Sequence, residues 1–257
     1  MRLADHIADA GMELPVVRQI SWNSPFYWLR AGWRDFKANP LPSLAYGILF
    51  GLGGDLIILA LLGHPYLVTV AVSGLFLIAP LLAAGLYELS RRSARGEKIL
   101  FIDSIRCFRR NSQSLAMFGL LIALLVLVWE RLSAIAFSLL GSAGDANTLL
   151  FLGHVFFSGE HTRFVFAWLG LGGILALFVF ALSVVSVPMM LDRDSDFVTA
   201  MLSSLYAFMH NPGPLLLWGC IIVLLTLLGF ATLLFGLLLI MPILGHASWH
   251  AYRELVE

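Results

Sequence analysis

Long uninterrupted apolar segments constrain this chain more than any other feature. A helix that crosses the roughly 30 Å hydrocarbon core of a bilayer needs about 20 mostly apolar residues. Six segments of this kind lie at 41–62, 66–88, 114–138, 164–190, 213–229 and 231–251. The last two come from one long apolar run, in which we expect a tight hairpin near Gly229. With 60% hydrophobic and only 12% charged residues, the composition also excludes an ordinary soluble domain. The sequence predicts an all-α, polytopic membrane helix bundle with six transmembrane helices.

The basic residues predict how this bundle is oriented. Of the 16 lysines and arginines, only Arg131 and Arg163 lie on one side of the six predicted spans, and the rest lie on the other. Cytoplasmic loops carry the excess of Lys and Arg, so both termini, including a tail at residues 1–20, are predicted to be cytoplasmic. That tail has no continuous apolar stretch, so it is not interpreted as a cleavable signal peptide. The net charge is zero, and we predict no nucleic-acid partner.

A pattern that occurs three times indicates an internal repeat. Each copy has a Phe, an Asn three residues later, and a span that begins directly after the Asn. The residues are Phe36, Asn39 and Pro40; Phe108 and Asn111; and Phe208, Asn211 and Pro212. Apolar residues before each Phe follow a helical stripe beside basic residues, so each copy is interpreted as a short amphipathic helix at the cytoplasmic interface. We expect Ser24, Gly96 and Asp196 to start these helices, and each Asn to cap the span that follows.

Prolines complete the repeat. Pro80, Pro188 and Pro242 each lie in the second predicted span of a unit, where a proline removes one backbone hydrogen bond and kinks the helix. Each unit is thus an interfacial helix followed by a helical hairpin with a kinked second span. The units lie at about 24–92, 96–193 and 196–253, within a membrane domain at 21–257. Because every unit contains two spans, the units share one orientation in the membrane.

Four stretches resemble an uncharacterised family of bacterial inner-membrane proteins, domain of unknown function 2189: WLRAGWRDFKANPLPSLAYG, APLLAAGLYELSRR, ALSVVSVPMMLDRDSDFVTAM and PILGHASWHAYREL. The resemblance covers about residues 15–255 and implies a six-helix protein of the bacterial inner (cytoplasmic) membrane. It implies no reaction and no catalytic residues. Some relatives carry the label cytochrome c oxidase subunit I. A haem–copper site needs about half a dozen histidines from several spans, and only His64, His246 and His250 lie near spans here.

Four polar residues in or beside the predicted spans are candidates for function: Asp55, Glu88, His246 and His250. Asp55 lies roughly 22 Å into the membrane from Pro40, where it is either a proton or cation relay on the repeat axis or, as we favour, a residue bonded at the outer interface. Glu88 is interpreted as part of an interfacial cluster with the basic residues that follow it.

His246 and His250 lie one helical turn apart, which is the spacing of a two-histidine metal or haem site. They also lie beside Trp249, Tyr252 and Arg253, and such residues commonly anchor a helix at the lipid headgroups. We favour the anchor over the ligand pair.

The chain contains no phosphate-binding loop, nucleophile elbow, zinc-protease motif or dinucleotide fingerprint. We therefore predict no catalytic residue, no cofactor and no metal. The sizeable external loop, 141–163, has an apolar part at Leu149–Phe157 that is too short to span, so we expect it to lie on or dip into the outer face.

Two functions agree with these features. The first is a non-enzymatic assembly, scaffolding or lipid-organising factor whose partners are anionic lipids of the cytoplasmic leaflet and another inner-membrane complex. The alternative is a small transporter or channel with a pathway along the repeat axis. A membrane redox or lipid enzyme is a third interpretation that no spacing in the sequence selects.

Overall fold

The computed structural model describes residues 15–61, 63–97, 99–139, 148–233 and 235–256. The described residues form twelve α-helices and no β-strand, which agrees with the predicted all-α class. In chain order the helices are α1 (Ser24–Ala38), α2 (Pro40–Leu61), α3 (Pro65–Leu82), α4 (Ala84–Ala94), α5 (Phe101–Arg106), α6 (Ser112–Ser138), α7 (Thr148–Phe157), α8 (Thr162–Ser183), α9 (Ser186–Asp192), α10 (Phe197–His210), α11 (Pro212–Ala231) and α12 (Leu237–Leu255). A short 3-10 turn, Cys107–Arg109, continues α5.

Four helical segments in the described part of the chain are long and apolar enough to cross a membrane: Pro40–Leu61, Ser112–Ser138, Thr162–Asp192 and Pro212–Ala231. The third of these segments consists of α8 and α9 together. A fifth crossing is formed if Leu67–Leu75 and Leu77–Ala94, which are bent by 46° against each other, count as one span. Apolar segments of this length form helices because a helix satisfies every backbone N–H and C=O within the segment, as lipid requires. The prediction of a multi-span helical membrane protein is confirmed at this level.

The sixth predicted span, 231–251, corresponds to α12. This helix is not one of the four segments and one bent pair that qualify as crossings by length and composition, because its C-terminal half carries His246, His250, Arg253 and Glu254. The turn predicted near Gly229 comes slightly later in the chain. Gly229 lies inside α11, and the chain turns after Ala231.

Helix breaks occur four residues before two of the predicted prolines. Helix α3 bends at residue 76, four residues before Pro80, and α8 ends with Val184 as its C-cap, four residues before Pro188. A proline cannot donate to the carbonyl of the residue four positions earlier, and its ring also crowds that carbonyl. The prolines therefore account for the positions at which these helices break.

The three Asn residues of the repeat pattern share one backbone geometry. Their φ and ψ angles are −135° and 61° at Asn39, −135° and 56° at Asn111, and −131° and 48° at Asn211. In each case the Asn carbonyl accepts a hydrogen bond from the amide four residues later, at 3.1–3.3 Å. The chain thus makes the same corner three times between a short helix and a long one.

Asn111 and Asn211 occupy the N-cap positions of α6 and α11, as predicted, but neither side chain makes a capping hydrogen bond. Asn111 donates instead to the carbonyl of Ser195 at 2.8 Å. Asn211 accepts from the amide of Ile20 at 2.9 Å. These side chains hold the corners to segments that are distant in sequence.

Two of the three predicted helix starts are confirmed, because α1 begins at Ser24 and Asp196 directly precedes α10. Asp196 caps α10, and its carboxylate accepts from two amides of the first turn at 2.9 and 3.0 Å. The N-cap residue of α1 is Asn23, and Leu100 rather than Gly96 precedes α5. Gly96 lies in the turn after α4 with a φ of +66°.

Helix α12 is the centre of the packing, and it contacts α1, α2, α4 and α11. Two glycines let its neighbours approach closely. A Cβ at Gly32 of α1 would lie 2.6 Å from the carbonyl oxygen of Ile243, and one at Gly47 of α2 would overlap the carbonyl of Leu238. The two ends of the described chain also meet, because the amide of Arg18 donates to the carbonyl of Leu255 at 2.9 Å.

Candidate functional site

A buried group of polar side chains lies where α1, α2 and α4 pack against α12. We call it the His–Asp cluster. It consists of Asp35 from α1, Ser43 from α2, Ser90 from α4, and His246 and His250 from α12. The exposed fraction is 8% for Asp35, 1% for His246 and Ser90, and 0% for Ser43. Ser43, Ser90 and His246 carry hydroxyl or imidazole groups, which need hydrogen-bond partners when they are buried away from water.

The cluster is one continuous chain of hydrogen bonds. Ser43 Oγ lies 2.9 Å from Nε2 of His246, and Ser90 Oγ lies 2.7 Å from Nδ1 of the same ring. The Ser90 hydroxyl donates to Oδ2 of Asp35 at 2.8 Å. Nε2 of His250 lies 2.9 Å from the same carboxylate oxygen. Asp35 therefore connects the two histidines that the sequence places one turn apart.

The bonding pattern assigns the tautomer of His246. Ser90 has one hydroxyl proton and gives it to Asp35, so Nδ1 of His246 is the donor of that contact. Nε2 is then the acceptor for the hydroxyl of Ser43 in the neutral ring. The Ser43 proton has a second acceptor, the carbonyl oxygen of Asn39 at 2.7 Å. The hydroxyl of Ser43 is the part of the cluster that can switch partners without moving a heavy atom.

Asp35 carries the negative charge of the cluster. Burial raises its pKa, but the hydrogen bonds from His250 and Ser90 and the electrostatic attraction of His250 together lower the pKa below its usual value of 3.8. The carboxylate is therefore ionised at neutral pH. It forms an ion pair with His250 whenever that ring is protonated.

The contact between Ser43 and His246 has the geometry of a serine beside its general base. A nucleophile must also be reached by a substrate, and here Ser43 is completely buried. Both nitrogens of His246 are already bonded to serines, so neither is free for a metal ion. In this arrangement the cluster joins α1, α2, α4 and α12 through buried hydrogen bonds.

The structure places His246, Trp249 and Tyr252 inside the protein, with exposed fractions of 1%, 2% and 0%. These side chains do not reach the lipid headgroups as the anchor interpretation requires. Arg253 is exposed, and it donates to Asp192 at 3.2 Å. Burial therefore argues against the anchor interpretation for His246, whereas His250 is only half-buried.

Glu88 lies in a separate ionic group on α4. Arg91 binds both of its carboxylate oxygens, at 2.6 and 2.7 Å, and Arg92 binds one of them at 2.9 Å. Glu88 is 3% exposed and Arg91 is 7% exposed. A buried carboxylate held by two guanidinium groups is already neutralised, so its role is to stabilise the packing around α4.

Asp55 lies apart from both groups. It is half-buried in the third quarter of α2, twelve residues beyond Ser43, which is about 18 Å along the helix. The structure does not bring it together with Glu88, His246 or His250.

A cavity of about 100 Å³ lies near the centre of the bundle. Its walls include Pro80, Tyr87, Trp218 and Met241, and they are mostly apolar. None of the five residues of the His–Asp cluster lines it. The cavity and the cluster are therefore separate features.

Comparison with known protein families supports the membrane assignment. Residues 67–192 match the family described as predicted integral membrane protein (DUF2189). This is the family that the four sequence stretches resemble. No curated protein and no solved structure matches the chain.

The DUF2189 match runs from the start of α3 to the end of α9. The match covers fewer residues than the resemblance described above, which extends over about residues 15–255. Glu88 and Ser90 lie inside the matched range, whereas Asp35, Ser43, His246 and His250 lie outside it. The His–Asp cluster is thus formed across the boundary of the DUF2189 match.

Sequence reasoning identified two of the five cluster residues. His246 and His250 carry a recognisable signal, because they share one face of a helix. Asp35 lies beside Arg34 and Lys37, a context that is typical of a solvated helix face. Ser43 and Ser90 carry no signal, because their partners belong to helices that are distant in sequence.

Proposed function

We propose that this protein is a non-enzymatic membrane scaffold that binds anionic phospholipids along its basic face and organises them around the bundle. The observation that carries the proposal is the pairing of exposed aromatic or aliphatic side chains with exposed basic ones on two short helices, α1 and α5. Such a surface suits the boundary between acyl chains and charged headgroups. We further propose that this face lies on the cytoplasmic side of a bacterial inner membrane, in agreement with the predicted orientation.

The exposed face of α1 provides the first half of this surface. Phe26, Tyr27 and Trp33 have exposed fractions of 56%, 61% and 41%. Arg30 and Arg34 of the same helix are also exposed. Aromatic side chains favour the headgroup region of a bilayer, and guanidinium groups bind phosphate with charge-assisted hydrogen bonds.

The α5 segment repeats the combination. Ile102 and Ile105 of α5 have exposed fractions of 52% and 44%. Arg106, Arg109 and Arg110 are exposed beside them. Each basic residue near an anionic leaflet contributes about 1 kcal/mol to attraction, so several of them on one face give a strong preference for anionic lipid.

The His–Asp cluster gives this surface a fixed geometry. Asp35 is buried against the bundle, whereas both arginines of the same helix are exposed. The Asp35 carboxylate is bonded to α4 through Ser90 and to α12 through His250. Gly32, on the same buried side, lets α1 lie against the backbone of α12. The lipid-facing residues of α1 are therefore held by the bundle and do not depend on the membrane for their arrangement.

We also propose that the bundle contains six crossings in three repeats, with α12 as the sixth. The shared geometry of the Asn39, Asn111 and Asn211 corners supports the repeat, as do the breaks before Pro80 and Pro188. The contact between the two ends of the described chain supports an even number of crossings.

Removing arginines from the basic face is expected to lower the preference for anionic lipid. In the variant Arg30→Gln/Arg34→Gln, the ratio of phosphatidylglycerol to phosphatidylcholine bound to the purified protein should fall about thirtyfold, because two headgroup contacts of about 1 kcal/mol each are lost. Native mass spectrometry of protein extracted from vesicles containing equal amounts of the two lipids measures this ratio.

The matched control is Arg131→Gln/Arg163→Gln, which removes the same charge from the opposite side of the predicted spans. It should leave the lipid ratio unchanged. Equal losses in the two double variants would show that total charge, rather than the basic face, selects the lipid, and the proposal would then fail.

The alternative, a small transporter or channel with a pathway along the repeat axis, has less support. The central cavity is mostly apolar, and Asp55 lies about 18 Å along α2 from the nearest member of the His–Asp cluster. A pathway for protons or cations needs polar groups or water between such sites.

A further inference from the structure

Three metal-ligating side chains meet at the turn between α7 and α8. They are His154, near the end of α7, and Glu160 and His161, directly before α8. One ligand atom from each lies within 4.8 Å of the other two. We propose that these residues form a Zn²⁺ site.

The distances permit a single ion to bind all three. Atoms that all lie within 4.8 Å of one another can share an ion placed about 2.8 Å from each, and Zn–N and Zn–O bonds are about 2.0–2.2 Å. The required contraction is less than 1 Å per ligand. The side chains of His154 and Glu160 have exposed fractions of 44% and 67%, so they can rotate to make it. Nε2 of His154 already lies 3.3 Å from Oε2 of Glu160.

The turn itself holds the ligands in place. Gly159 has a φ of +81°, a conformation that residues with a Cβ rarely adopt, and it returns the chain sharply towards α7. The amide of Glu160 donates to Ser158 Oγ at 3.2 Å, and the hydroxyl of Thr162 donates to the carbonyl of Gly159 at 2.6 Å. These bonds set Glu160 and His161 opposite His154 before any ion binds.

The donor set selects the metal. Two imidazoles and one carboxylate suit Zn²⁺, whereas Mg²⁺ and Ca²⁺ prefer oxygen ligands throughout. Three protein ligands leave the fourth position of a tetrahedral zinc open to water. A bound ion would join the end of α7 to the start of α8. Arg163 lines a surface depression together with Glu160 and His161, and its positive charge opposes cation binding there.

The sequence alone does not select this site. His154 and His161 are separated by six residues, and that spacing places them on one face only if a single helix continues through both. The helix ends between them, and it is the turn at Gly159 that brings them together.

The proposal is tested by titrating the detergent-purified full-length chain, carrying an affinity tag without histidines, with Zn²⁺ against a chromophoric chelator. Wild-type protein is expected to bind one Zn²⁺ per chain. His154→Ala and His161→Ala should each weaken binding at least tenfold, because two protein ligands hold the ion poorly. Arg163→Gln should tighten binding, since it removes the opposing charge.

His64→Ala is the matched control, because His64 is another exposed histidine in a turn between helices. Its affinity for Zn²⁺ should equal that of the wild type. Size-exclusion profiles identical to the wild type establish that the exposed substitutions leave the fold intact. If wild-type protein binds no stoichiometric Zn²⁺, or if His154→Ala binds as tightly as His64→Ala, the three residues are an ordinary surface ion pair beside a histidine and the proposal is overturned.

Discussion

Glu88→Ala is expected to lower the free energy of unfolding by about 3–5 kcal/mol, because it leaves a buried arginine without a counter-ion. The carboxylate of Glu88 is bound on both oxygens by Arg91, and the side chains of the pair are only 3% and 8% exposed. Arg92 loses its 2.9 Å contact at the same time. Equilibrium unfolding in mixed micelles, with increasing SDS and tryptophan fluorescence as the signal, measures the change.

Glu97→Ala provides the control for this experiment. It removes the same charge a short distance along the chain, but the side chain of Glu97 is 42% exposed and lies 3.8 Å from Arg92. An exposed pair of this kind contributes about 0–1 kcal/mol. If Glu88→Ala and Glu97→Ala have the same small effect, the ionic group around Glu88 is solvated in the membrane and its assignment as a buried stabilising group is wrong.

Gly47→Ala is expected to cost about 2 kcal/mol or more, because a methyl group at this position would overlap the backbone of α12. The atom in the way is the carbonyl oxygen of Leu238. Pro242 lies four residues after Leu238 and has no N–H to donate to that carbonyl, so the carbonyl is free to approach α2. Relief of the overlap requires α2 and α12 to separate. The same unfolding experiment measures the loss.

Gly53→Ala is the matched variant on the same helix. No atom lies within 4 Å of the position that its Cβ would occupy. Alanine is the better helix former by about 1 kcal/mol, so this substitution should leave the stability unchanged or raise it slightly. Equal losses at Gly47 and Gly53 would mean that the close approach of α2 to α12 is absent from the protein in a membrane.

The positions of the long helices could be predicted from sequence because they depend on local properties. Apolar segments predict α2, α6 and α11 to within about two residues at either end. Proline predicts the breaks before Pro80 and Pro188, since the missing hydrogen bond is fixed by the chain itself. No partner element is needed for either inference.

Features that depend on distant partners could not be predicted in this way. The Asn111 and Asn211 side chains were expected to cap the next helix, yet their partners are Ser195 and Ile20. A local sequence pattern gives the conformation of such a corner and leaves its tertiary hydrogen bonds undetermined.

The His–Asp cluster shows the same division. The spacing of His246 and His250 indicates a shared helix face, and it does so correctly. Their partners come from α1, α2 and α4, so the cluster depends on how four helices pack. Asp35 lies among basic residues in the sequence, a context that predicts a solvent-exposed side chain. In the structure this side chain is buried.

Cysteine labelling in intact cells and in lysed membranes tests the central claim most directly, namely that the basic helices α1 and α5 lie on the cytoplasmic side. The variants are Lys37→Cys, Arg109→Cys and Arg163→Cys, each made in a background in which Cys107 and Cys220 are replaced by alanine. A membrane-impermeant maleimide should label position 163 in intact cells, and positions 37 and 109 only after lysis. Labelling of positions 37 and 109 in intact cells would contradict the account, whether or not position 163 is labelled as well.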